Sequence, residues 1–169
     1  MTNAALRVLI ADDERPARRF LAGLLKTCTG VELVGEAASG EEAITLIDRL
    51  QPQLALLDLQ MPEIGGLDVA RRLPADRLPL VAFVTAFDDY AIEAFELNAI
   101  DYVLKPAQRE RVQATIERAR KRLAVPETSQ LRSAALANAA AVYERAERGH
   151  SGADASILAT QMVLKPLVA

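Results

Sequence analysis

Five short apolar runs recur along the chain, each bounded by turn residues: LRVLIA (6–11), VELVGEAA (31–38), LALLDL (54–59), LVAFVTA (80–86) and AIDYVLK (99–105). They have the length of strands, and their hydrophobicity is mostly continuous rather than alternating, as in strands buried on both faces. Segments of helical character lie between them. The first carries Pro16 near its start, where a missing N–H costs nothing, and an apolar stripe of Ala17, Phe20, Leu21, Leu24 and Leu25. Ser39 followed by Glu42 predicts a capping-box start for the second helix, which Pro52 closes. Residues 66–73, 88–98 and 107–123 are the third, fourth and fifth expected helices. Strict β-α alternation with right-handed crossovers implies an α/β, doubly wound fold, a parallel sheet with helices on both faces.

Ligands on such sheets sit at the carboxyl ends of the strands, where the chain order reverses. There the first run ends in Asp12-Asp13-Glu14, the third in Asp58, the fourth in Thr85 and the fifth in Lys105-Pro106. One edge of the sheet therefore gathers three aspartates, a hydroxyl and an ammonium. Any one of these is ordinary alone, since aspartates cap helices and turns. Their joint arrival at one edge is not.

Three crowded carboxylates repel one another unless a cation neutralises them. Magnesium suits such a site because it favours oxygen ligands, takes one or two carboxylates and keeps positions for water or a phosphoryl oxygen. Lys105 is then a point charge suited to a phosphoryl oxygen, with Thr85 a donor to another. Asp58 is the expected nucleophile, able to form an aspartyl phosphate when metal and lysine offset the developing charge.

The acidic pair Asp12-Asp13, Asp58 within LLDLQMPEIGG, Thr85 in VTA and Lys105-Pro106, in that order, resemble the receiver domain of bacterial two-component response regulators over residues 6 to about 124. The resemblance implies a five-stranded parallel sheet of flavodoxin/CheY-like order 2-1-3-4-5. It makes Asp58 the phosphoacceptor and Asp13 a direct magnesium ligand, with Asp12 acting through water and the Gln60 backbone carbonyl adding a further ligand. Thr85 and Tyr102 match the switch pair, the hydroxyl turning toward the phosphoryl group and the ring swinging inward behind it. Met61-Pro62 and Gly66 match the loop after the acceptor, with Ile64 where methionine is more usual. A cis Lys105-Pro106 bond is implied as well. The segment FDDYAIEAFELNAIDYVLKP (87–106) resembles the LytTR-type subgroup, whose members carry a DNA-binding domain after the receiver. The implied partner is a sensor histidine kinase, and the implied output is transcription or contact with another protein.

The expected organisation is a receiver over residues 1–125 and a tail over 126–169. In the tail, a Pro-Glu-Thr-Ser linker precedes an Ala-rich helix from about Gln130 to Arg148, Gly149 stops it, and a short apolar end follows. No all-β DNA-binding domain is legible there, so DNA is an expected partner only through a domain not seen in this chain. The sequence VLKP recurs at 163–166, but no acidic pair or acceptor strand precedes it in residues 107–162, so Lys165 has no expected role. His150, between Gly149 and Ser151, reads as a solvated turn rather than a phosphotransfer histidine. The lone Cys28 reads as a small buried residue, and RARKR (118–122) as a solvated face or a partner contact. A net charge of -3 gives no overall pull to nucleic acid or membrane, and no apolar run or leader suggests membrane insertion, so a cytoplasmic location is expected.

Two rival readings fail on particular features. A haloacid-dehalogenase-like phosphatase places its nucleophile on the first strand in an Asp-x-Asp pattern, whereas here the aspartates are adjacent. A dinucleotide binder needs G-x-G-x-x-G after that strand, and none is present. The expectation is a switch rather than an enzyme. A homodimer on phosphorylation is also expected, because Asp88, Asp89, Glu93 and Glu96 of the fourth helical segment oppose Arg109, Arg111, Arg118, Arg120, Lys121 and Arg122 of the fifth.

Overall fold

Each apolar run becomes a strand in the computed structural model, which describes residues 4–125. The chain alternates β1 (Leu6–Ala11), α1 (Arg15–Thr27), β2 (Val31–Ala37), α2 (Gly40–Leu50), β3 (Leu54–Leu57), α3 (Gly66–Arg72), β4 (Leu80–Thr85), α4 (Ala91–Glu96), β5 (Asp101–Leu104) and α5 (Arg109–Ala124). All strand pairs are parallel, in the order β2-β1-β3-β4-β5. The order reverses at β1, which lies between β2 and β3, so a crevice opens where Asp12 and Asp58 leave their strands. The expected linker, Ala-rich helix, Gly149 stop, His150 and second VLKP lie outside the described residues.

Alternate residues of the sheet feed two cores. Val8, Ile10, Leu54, Leu56, Val84 and Val103 pack with Leu21 and Leu25 of α1 and Val112 and Ile116 of α5. Leu9, Ala55, Leu57, Val81 and Phe83 pack with Ala43 and Ile47 of α2, Val69 of α3 and Ala94 of α4. The central strands β3 and β4 are buried throughout, which is why they read as continuous apolar runs. The edge strand β2 is only half buried along most of its length.

Several local expectations need correction. Phe20 is 55% exposed rather than part of the buried stripe, because α1 turns Leu21, Ala22 and Leu25 inward and leaves its neighbour on the outer side. The second helix starts as expected, with the Ser39 hydroxyl accepting from the Glu42 N–H at 3.1 Å, but the Glu42 carboxylate accepts from Ala38 rather than Ser39. Its last carbonyls are closed by Gln51 in the left-handed region, just ahead of Pro52. The fourth helix begins at Ala91, not at residue 88, because the Phe87 carbonyl accepts from the Tyr102 hydroxyl instead of a helical N–H. The fifth strand is shorter than its apolar run, although the Ile100 N–H already donates to the Val81 carbonyl at 2.8 Å. Cys28 is buried, as expected.

Candidate functional site

Backbone pairing carries the acidic residues to the crevice. Past the end of β1 the Asp12 N–H still donates to the Ala37 carbonyl at 3.0 Å, and past β3 the Asp58 N–H donates to the Ala11 carbonyl at 2.9 Å. Both side chains are thereby buried at the strand ends, while Asp13 turns outward and is exposed. Asp12 Oδ1 accepts from the Glu14 N–H at 2.9 Å, and Asp58 Oδ1 accepts from the Gln60 N–H at 3.1 Å. One carboxylate oxygen of each residue is thus fixed by its own turn.

The remaining oxygens meet Lys105. Its N–H donates to the Thr85 carbonyl at 2.8 Å, and the bond to Pro106 is cis. The ammonium donates to Asp12 Oδ2 at 2.7 Å and to Asp58 Oδ2 at 2.8 Å. Burial pushes the Asp58 carboxyl above the usual carboxylate range, and the Asp12 charge adds to this against the opposing pull of Lys105 and the Gln60 N–H. For Lys105, burial acts downward, but the two carboxylates outweigh it and raise its pKa.

Asp12, Asp13 and Asp58 each bring a ligand oxygen within 4.8 Å of the others. Three carboxylates and one ammonium leave an excess of two negative charges, and the donors are all oxygen. That set fits a hard divalent cation such as magnesium. The loop after Asp58 folds back tightly on its own backbone. A Cβ at Gly66 would lie 2.4 Å from the Asp58 carbonyl oxygen, and one at Gly65 would lie 2.3 Å from that of Leu59. Only glycine fits at these close approaches.

An open cavity of about 790 Å³ lies above the cluster, with Asp13, Asp58, Gln60, Lys105, Phe87 and Tyr90 in its wall. Thr85 is fully buried behind Ala86, and its Oγ1 accepts from the Phe87 N–H at 3.3 Å, leaving the hydroxyl proton free to turn. Tyr102 is half-buried further out on the same side, and its hydroxyl donates to the Phe87 carbonyl. Burial, with the nearby Asp88, Asp89 and Glu93, pushes the Tyr102 phenol up to about 12. The structure thus brings Asp12, Asp13, Asp58, Gln60 and Lys105 together and sets Thr85 and Tyr102 in series behind them.

Two features escape sequence reading. Arg18 of α1 donates from Nη1 to the Asp12 backbone carbonyl at 2.7 Å. Asp101, at the start of β5, is buried among Arg111 (2.6 Å), Arg118 (3.0 Å) and the Thr115 hydroxyl (2.7 Å), and it also accepts from the Tyr102 N–H at 2.9 Å. An acid inside the apolar run AIDYVLK was the available signal, because a buried carboxylate needs partners. The network changes the reading of α5. Arg111 and Arg118 serve Asp101, Arg120 donates to the carbonyls of Thr29 and Gly30, and Arg109 holds Thr27, so at least four of the six basic residues expected at the interface are engaged within one chain.

A family model described as the response regulator receiver domain matches residues 8–117. An uncharacterized response regulatory protein of Yersinia pestis is 49% identical over 113 residues, covering 67% of this chain and 48% of that protein. The transcriptional regulatory protein BtsR of Salmonella typhi is 45% identical over 115 residues, covering 68% of this chain and 48% of BtsR. The chain therefore spans about half the length of these relatives. Among solved structures, the signal receiver domain of NarL from Mycobacterium tuberculosis superposes with a TM-score of 0.65 at 30% identity, over 70% of this chain and 98% of that one. With its five parallel strands in the order 2-1-3-4-5 and this match, the chain belongs to the response regulator receiver family.

Proposed function

We propose that residues 1–125 form a phosphorylation-driven switch in which a sensor histidine kinase transfers a phosphoryl group to Asp58. The observation that carries this reading is the half-buried Lys105 ammonium, 2.7 Å from Asp12 and 2.8 Å from Asp58 at the strand-order reversal. An Asp58 carboxylate oxygen attacks phosphorus as the bond from phosphorus to the donor's imidazole nitrogen breaks, and that nitrogen keeps the electron pair. Asp13, Asp58 and the Gln60 carbonyl would hold Mg²⁺, with Asp12 acting through water; bound there, the ion would offset charge on the carboxylates and the transferred oxygens. Lys105 keeps one ammonium against the same charge. Thr85 turns its free hydroxyl proton toward the phosphoryl group, which releases the Phe87 N–H and draws on the Phe87–Tyr102 contact behind it.

The domain acts as a switch rather than as a turnover enzyme, and its output face is α4, β5 and α5. Pairing of two phosphorylated copies through that face is part of the proposal. BtsR is named a transcriptional regulator, which supports transcriptional control as the output, exerted through a DNA-binding partner or domain outside the described residues. A cytoplasmic location fits this role, and among the described residues no helix is long and apolar enough to cross a membrane. The test is incubation with acetyl phosphate and Mg²⁺. Intact mass rises by one phosphoryl group per chain, and Asp58→Asn abolishes the gain; an acid- and base-labile phosphate on that variant at the same rate refutes the assignment.

A further inference from the structure

We propose that Arg18 is a positioning residue for the acidic pair, locking the peptide plane between Asp12 and Asp13 so that both carboxylates face Asp58. The proposal rests on the metal-assisted receiver reading above. Asp12 is held at three points. Its Oδ1 takes the Glu14 N–H, its Oδ2 takes Lys105, and its backbone carbonyl takes Arg18 Nη1 at 2.7 Å. That carbonyl lies beyond the end of β1 and belongs to the peptide plane leading into Asp13. Rotation of the plane would change the direction in which Asp13, exposed and without the strand's support, leaves the sheet. The third contact therefore controls Asp13 through the backbone rather than by touching it.

Arg18 sits near the start of α1, where the helix dipole disfavours a cation, but Asp12, Asp13 and the N-cap Glu14 directly precede the helix and offset that cost. The side chain is only 17% exposed, with Nε 3.8 Å from Glu36 Oε1 on β2. Glu36 is itself 43% exposed, so this looser ion pair orients the guanidinium without consuming it. One planar, multi-donor head thus ties α1, the end of β1 and the edge strand together, a geometry that an ammonium cannot reproduce in full. Support of this kind for a metal-binding residue typically accounts for about 10- to 100-fold in metal affinity.

The experiment uses the full chain and Mg²⁺ itself. Backbone NMR shifts are followed through a MgCl₂ titration for the wild type, Arg18→Ala, Arg18→Lys and Glu36→Gln, with thermal melts in EDTA beside them. Phosphorylation by acetyl phosphate is measured across the same Mg²⁺ range. Arg18→Ala is expected to weaken Mg²⁺ binding about tenfold, the lower end of that range. The phosphorylation rate at saturating Mg²⁺ stays near wild type, Arg18→Lys recovers part of the affinity, and Glu36→Gln changes it little. An unchanged Mg²⁺ midpoint overturns the proposal, and if only the melting temperature falls, Arg18 is a structural residue. A wild type that binds no Mg²⁺ removes the receiver reading and this proposal together, whereas normal wild-type binding with an unmoved Arg18→Ala midpoint removes this proposal alone.

Discussion

Replacing Asp101 by asparagine preserves its shape and removes its charge. The carboxylate is 3% exposed and faces two guanidiniums, Arg111 with its side chain 33% exposed and Arg118 at 18%. Removing one partner of a buried ion pair typically costs about 3–5 kcal/mol, because the other partner stays buried without compensation. Arg111 can relax toward water, the Tyr102 N–H can still donate to the amide oxygen, and the amide nitrogen can donate to the Thr115 hydroxyl, so the lower end, about 3 kcal/mol, is expected. For a domain of this size each kcal/mol corresponds to about 4 °C, giving a fall in melting temperature of about 12 °C. Urea denaturation followed by circular dichroism at neutral pH measures the loss, with the denaturant slope unchanged. Burial acts to raise the Asp101 pKa, but Arg111 and Arg118 outweigh it and hold the group below its ordinary value of 3.8. The stabilisation is therefore present above that ordinary value and lost as pH falls through the depressed folded value. The gap between wild type and variant should narrow under strong acid. A loss below about 1 kcal/mol, the level of an exposed pair, or a gap that persists once the carboxylate is protonated, would refute the reasoning.

Magnesium at about 100 times its dissociation constant should stabilise the wild type by about 2.7 kcal/mol, and a thermal shift that survives intact in Asp58→Asn would count against the cluster as its site. Gly66→Ala should displace the Asp58 carbonyl and slow phosphorylation, because its Cβ would lie 2.4 Å from that oxygen. Gly23→Ala, with nothing within 4 Å, should instead stabilise α1 by about 0.4–1 kcal/mol in the same melts. Charge reversal at Arg118 should unfold the monomer by breaking the Asp101 network, so the proposed phosphorylation-dependent dimer is better probed with Lys121→Glu in sedimentation at low and high salt; a dimer indifferent to both would rule out charge matching as its cause.

The fold was legible because β1, β3 and β4 are buried on both faces and so carry continuous apolar runs, and because the site residues follow those runs directly. Tertiary demands hid the rest. Phe20 belongs to an apolar stripe by composition, yet helix rotation leaves it at the wall of a cavity of about 330 Å³ beside Lys105 and Pro106. Arg111 and Arg118 of α5 look like part of a solvated basic face until Asp101, ten or more positions away in sequence, is placed beneath them. Arg18 is separated from its acceptor by a turn and the start of a helix, and backbone carbonyls leave no mark in a sequence.

The chain contains no tryptophan and three tyrosines. Tyr90 lines the cavity and the Tyr102 hydroxyl donates to the Phe87 carbonyl. With no indole to drain the excitation, phenol emission is directly observable, and a phenol bound to a peptide carbonyl emits weakly. Release of that bond should brighten Tyr102, and Tyr143→Phe would remove the one phenol outside the described residues. The protein thus carries its own optical reporter, a phenol whose acceptor is the carbonyl of Phe87, the residue after Thr85-Ala86.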